Sequence, residues 1–146
     1  MNTKTKFKLN PQIAKDTSYI ANTGPFQIRL MLDKRFFWLL VIPEIPNIID
    51  WHDLKPKASN SLNKLISDLS HMLKVVDNSD KINVASIGNI VPQFHLHIIS
   101  RHKKDPLWPK TVWGVGKAIP LSNQIKNFRT NTINSALLRL NSTKFC

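Results

Sequence analysis

Acidic side chains are scarce in this chain of 146 residues: nine Asp and Glu stand against 21 Lys and Arg, a formal net charge of +12. So few carboxylates argue against an acid/base carboxylate pair of the glycosidase type. Cysteine occurs once, as Cys146. One thiol excludes a disulfide within the chain, which fits a reducing compartment, and the cytoplasm is the expected location. Nor does Cys146 match a prenylation signal, in which the cysteine is followed by further residues. Glycine is rare, at four residues, and neither G-x-G-x-x-G nor G-x-x-x-x-G-K-[ST] occurs. The sequence thus lends no support to dinucleotide-type or P-loop phosphate binding. Long apolar runs are missing as well. "FFWLLVIP" (36–43) is far shorter than a membrane span, and the basic start "MNTKTKFKLNPQIAKD" has no apolar stretch to make it a secretory signal.

What is present reads as an ordinary globular chain, 42% hydrophobic and 21% charged. The length predicts one domain over 1–146, large enough for a core without staples. The charge is uneven: from residue 81 onward there are ten Lys/Arg and one acid, Asp105. That half projects a positive field suited to nucleotides, nucleic acid or an acidic surface, although solubility alone accounts for it equally well.

No repeat stands out. Residues 1–25 read as irregular, with Pro11 opening a short helical turn and Gly24-Pro25 marking a turn. "FQIRLMLD" (26–33) and "FFWLLVIP" (36–43), separated by Lys34-Arg35, predict a β-hairpin. From Lys57 to about Asp77, Leu62, Leu65, Ile66, Leu69, Met72, Leu73 and Val76 recur at helical spacing. "KINVASIG" (81–88) and "VPQFHLHIIS" (91–100) read as strands around a Gly88-Asn89 turn. A Pro-rich loop follows, then a helix over about 122–141 with Ser122 as N-cap and Ile125, Phe128, Ile133, Ala136, Leu137 and Leu140 as its apolar face. The order predicts an α+β fold, an antiparallel sheet with helices on one face.

The stretch with chemical content is "QFHLH" (93–97). In an extended strand Gln93, His95, His97 and Ile99 share one face and Phe94, Leu96 and Ile98 the other, so the apolar set can be buried while the polar set faces a groove. Same-face neighbours lie about 6.5–7 Å apart. Three readings fit: a hydrogen-bonded groove pair, two ligands of a zinc site, or a nucleophilic imidazole attacking phosphorus. The zinc reading needs a third ligand, and His102, Asp105, His52 and His71 are a poor supply.

"VPQFHLHIISR" resembles the signature of the histidine triad (HIT) superfamily, His-φ-His-φ-His-φ-φ with φ apolar. "RLMLD…WLLVIP" resembles that family's first hairpin and "KINVASIGN" the strand before the triad. "DPLWPKTVWG" (105–114) resembles a stretch of a bacterial HIT-like hydrolase subgroup with Gln at the first triad position. The resemblance spans about residues 10–115. It implies a sheet of about five antiparallel strands with a long helix, a homodimer, and nucleoside phosphates or dinucleoside polyphosphates as substrates, with no cofactor or metal in the covalent step. It implies that His95 is the nucleophile on the α-phosphorus, that His97 orients it near the bridging oxygen, and that Gln93 holds the first position. Asp33 matches the acid that binds ribose hydroxyls, and Asn83 and Asn89 fall where polar groups contact sugar or phosphate. Trp38 stands where many relatives have a further supporting His. Gln93 cannot titrate, but its amide both donates and accepts.

Other side chains carry competing readings. Asp33 also reads as a plain turn carboxylate, Arg101 as a solvated strand end or a phosphate partner, and Trp108 and Trp113 as loop packing or a stacking surface. The functional expectation is a nucleotide phosphohydrolase or nucleotidyl transferase working through a nucleotidyl-histidine. The alternatives are a non-catalytic nucleotide- or nucleic-acid-binding module and a His-x-His metal enzyme. A membrane role is not expected.

Overall fold

The computed structural model of the chain describes residues 6–142, and for 141 and 142 only the backbone. Cys146 and the first five residues of the basic N-terminus lie outside them. The elements in chain order are α1 (Pro11–Asp16), β1 (Thr17–Thr23), β2 (Phe26–Met31), β3 (Trp38–Pro43), a 3-10 turn (Trp51–Asp53), α2 (Pro56–Val76), β4 (Lys81–Ala85), β5 (Leu96–Arg101) and α3 (Asn123–Ser142). The strands form one five-stranded sheet in the order β1-β2-β3-β5-β4, and every neighbouring pair is antiparallel. This is the α+β architecture the patterns predict, except that the helices are not all on one face: α1 covers the face opposite α2 and α3.

Alternation along β3 and β5 sorts the core into two layers. Leu39, Val41, Leu96 and Ile98 point to the face covered by α2 (Leu62, Leu65, Leu69, Leu73) and by Ile133 and Leu137 of α3. Trp38, Leu40, Ile42 and Ile99 point to the opposite face, where Ile13 of α1, Phe36 and Val112 cover them. Both histidines of the motif belong to this second face. All residues of β3 and β5 are buried, so the two strands form the centre of the molecule.

Several expectations need correction. Residues 17–23 are not irregular: Thr17, Tyr19 and Ile20 are strand formers, and β1 pairs along β2 across the Gly24-Pro25 turn. The motif strand begins at Leu96, not Val91. Residues 91–95 stay outside the ladder: the chain bends at Val91 and Gln93, and Phe94 N–H donates to the Ile48 carbonyl at 3.0 Å instead of to a strand. In α3, Ser122 caps as expected, its Oγ accepting from Ile125 N–H at 3.2 Å. Phe128, however, is 67% exposed. Five residues before Ile133, it lies about 140° round the helix from the buried stripe.

Candidate active site

Register brings the site together before any side chain is considered. β3 pairs with β5 so that Trp38 faces Ile99 and Leu40 faces His97. Trp38 and His97 are therefore diagonal neighbours on one face, within reach of an indole. The Trp38 Nε1–H donates to His97 Nδ1 at 3.0 Å. The two rings meet edge-on with centroids 5.3 Å apart, and Trp113 closes on His97 from the loop at 5.6 Å. His95 lies beside His97, centroids 4.9 Å apart and planes at 79°. The Nδ1 of His95 is 2.7 Å from the carbonyl oxygen of Gln93. A carbonyl only accepts, so that nitrogen carries the proton and Nε2 keeps its lone pair.

Both imidazoles are largely shielded, His95 8% and His97 5% exposed, yet both line a cavity of about 460 Å³. Its walls are mainly apolar: Met31, Trp38 and Leu40 from the sheet, Ile13 from α1, and Ile87 to Val91 from the segment before the motif. Burial, and then the neighbouring His95, hold His97 down to about 3, so it is neutral over the physiological range. A second cavity of about 610 Å³ shares Asp16, Met31, Trp38, Trp113 and Gly114 with the first, and adds Lys15, Asp33, Arg35 and Lys126.

Of the remaining expected residues, the structure brings only Asn89 into the histidine cavity. Gln93 turns away from the rings. Its Oε1 accepts from Asn10 N–H and its Nε2 donates to the Lys8 carbonyl, both at 2.9 Å, so it fastens the segment leading into α1. Asp33 lines the neighbouring cavity, 2% exposed, with its oxygens already engaged. They accept from Arg35 Nε and Nη2 and from the backbone N–H groups of Arg35 and Ile119. Burial alone would raise this carboxyl; those hydrogen bonds more than offset it and leave Asp33 below the usual carboxylate range.

Asn83 is not in either cavity wall: its Oδ1 accepts from Arg101 Nη1 at 2.9 Å. Arg101 is no solvated strand end. It is 1% exposed, paired with Asp105 at 2.7 Å, and stacked over Phe36 and Trp108. Among the described residues no group of three or more His, Cys, Asp or Glu is placed to hold a metal ion.

Sequence reasoning missed the Trp38–His97 bond and the wall made by α1. The first joins residues 59 apart. The second was half legible: Pro11 marks the helical turn, which Asn10 caps by accepting from Gln12 N–H, but nothing local tells which face of the sheet it covers.

Comparison with known proteins agrees with this geometry. The family model described as "HIT domain" matches residues 17–104. A histidine triad protein from Sinorhizobium meliloti is 34% identical, with 91% of this chain and 98% of that one covered and a TM-score of 0.87. One from Bradyrhizobium japonicum is 33% identical, covering 92% and 98% with a TM-score of 0.84. One from Marinobacter aquaeolei is 30% identical, covering 93% and 99% with a TM-score of 0.90. The comparison with curated proteins found no match. With the family model spanning its sheet and its histidine pair, and relatives of this identity matching nearly end to end, the chain belongs to the HIT family.

Proposed function

We propose that this protein is a nucleotide phosphohydrolase or nucleotidyl transferase in which His95 is the nucleophile and Asn89, in the cavity wall, is a contact for the bound sugar or phosphate. One observation carries the reading: His95 Nδ1–H donates to the Gln93 carbonyl, which leaves the Nε2 lone pair free beside a cavity of nucleotide size. A neutral imidazole attacks without a separate base. Attack on the α-phosphorus gives a nucleotidyl-histidine, which water or another acceptor then cleaves. His97, 4.9 Å away ring to ring, is near enough to His95 to meet an oxygen on that phosphorus.

Gln93 acts through its carbonyl and its grip on the N-terminal segment, not through its amide on substrate. Asp33 is spent on Arg35 and holds the β2–β3 loop, and Asn83 holds Arg101; neither is assigned to the ligand. The net charge of +12 supports an anionic ligand. We take 1–146 as one domain acting in the cytoplasm. No described helix is long and apolar enough to cross a membrane. Family membership and the open edge of β4, where Val84 is exposed and Ile90 just beyond is 93% exposed, support a homodimer. Sedimentation at micromolar concentration tests this, and a monomer would remove it.

The functional test is turnover of AMP esters and diadenosine polyphosphates by the wild type and by His95→Ala. Turnover that disappears in the variant is expected. Equal rates would remove His95 as the nucleophile, and tight salt-sensitive binding without turnover in either protein would replace the enzyme with a binding module.

A further inference from the structure

The two imidazoles are held by partners of opposite character. The Gln93 carbonyl only accepts, which puts the proton of His95 on Nδ1. The Trp38 indole N–H only donates. It meets Nδ1 of His97 at 3.0 Å, so His97 carries its proton on Nε2. Trp38 is itself buried and wedged edge-on between Phe36, at 6.4 Å, and Trp113, at 6.2 Å, so the indole has little freedom to turn.

We propose that Trp38 is the positioning residue of this site: it locks His97 as an Nε2–H donor that can bond a departing oxygen but cannot give it a proton. To release that proton the ring would have to take another on Nδ1 at the same moment. The indole N–H there neither ionises near neutrality nor relays a proton, so the alternative is an imidazolate, which a buried apolar setting does not support.

The consequence for substrate class rests on the nucleotidyl-transfer reading. The lone pair of His95 Nε2 forms the P–N bond while the P–O bond to the leaving group breaks. The electron pair stays on the departing oxygen, which leaves as an anion bonded to His97 but not protonated by it. His95 keeps its Nδ1 proton, so its ring is cationic in the intermediate. Water then attacks phosphorus, the P–N electron pair returns to Nε2, and the surplus proton passes to solvent. Leaving groups that are stable anions near neutrality, phosphoanhydrides and acyl phosphates, suit this site. Amines and alkoxides, which need a proton as they depart, do not.

Two measurements test the proposal separately. Nitrogen-15 NMR of histidine-labelled protein reads the lock without any turnover: His97 Nδ1 should show the shift of an unprotonated acceptor and Nε2 that of an N–H. In Trp38→Phe, and in Trp38→His should the Phe variant not fold, that signature should change. Kinetics with aryl esters of AMP, from nitrophenol to unsubstituted phenol, read the selectivity. The wild type should lose about 10²-fold or more in kcat/KM along the series, the low end of what a general acid supplies. Trp38→His, whose imidazole can relay a proton, should narrow that ratio. A wild-type His97 protonated on Nδ1 overturns the lock. Level rates across the series overturn the selectivity. A wild type that cleaves diadenosine polyphosphates but not the nitrophenyl ester overturns the selectivity alone; failure with both refutes the functional reading and the selectivity together, and the NMR result still decides the lock.

Discussion

At the scale of single residues, the environment of His97 makes a prediction about stability. An unfolded imidazole binds its proton near 6.5, whereas His97, buried beside His95, does so only at about 3. Between those values the unfolded chain holds one more proton than the folded one. Stability therefore rises with pH across this window and is fully gained above 6.5. Acidification from 6.5 toward 3 should cost up to about 1.4 kcal/mol per pH unit from this residue. Urea denaturation at a series of pH values, on wild type and His97→Phe, reads the effect. The variant should lose that part of the slope, and identical slopes would show that His97 protonates freely in the fold.

The elements explain what the sequence could and could not reveal. The α2 pattern was legible because a face of Leu62, Leu65, Leu69 and Leu73 is a local signal at a fixed period. Adjacency of His95 and His97 was legible for the same kind of reason, since residues two apart in an extended chain share a face. The start of β5 was not, because alternation marks an extended segment and cannot say where a partner strand ends. Partners distant in sequence were also hidden. Gln93 reaches Asn10 across 83 positions and Lys8 across 85, and Arg101 reaches Asn83 across 18. A residue read for its place in the triad thus serves as the clasp of α1, whose Gln12, Ile13 and Asp16 wall the histidine cavity.

Gln93→Ala should remove both hydrogen bonds of that clasp and cost about 1–2 kcal/mol. Amide exchange should quicken through residues 8–16 while β3 and β5 stay protected. Uniform loss of protection, or none, would mean that α1 is held by other contacts. The C-terminal helix supports the opposite side of the site: Arg129 of α3 donates to the carbonyls of Asp33, Lys34 and Phe36 in the β2–β3 loop.

Across the whole molecule, an apolar wall and a charged one lie side by side. The cavity around the histidines is mainly apolar, while its neighbour is walled by Lys15, Arg35 and Lys126 together with Asp16 and Asp33. Arg35 is taken by Asp33, which leaves Lys15 and Lys126 as the wall's cations without an ion-pair partner among the described residues. Under the proposed function, a nucleotide with a flat aromatic base and an anionic tail matches this division. In the proposed reaction His95 takes the nucleotidyl group onto its own ring. Intact-mass measurement after brief mixing with a diadenosine polyphosphate at low temperature reads it directly. Wild type should gain the mass of one AMP group and lose it with time, and His95→Ala should gain nothing. An unmodified wild type that still turns the substrate over, or an adduct that persists in His95→Ala, would contradict the account.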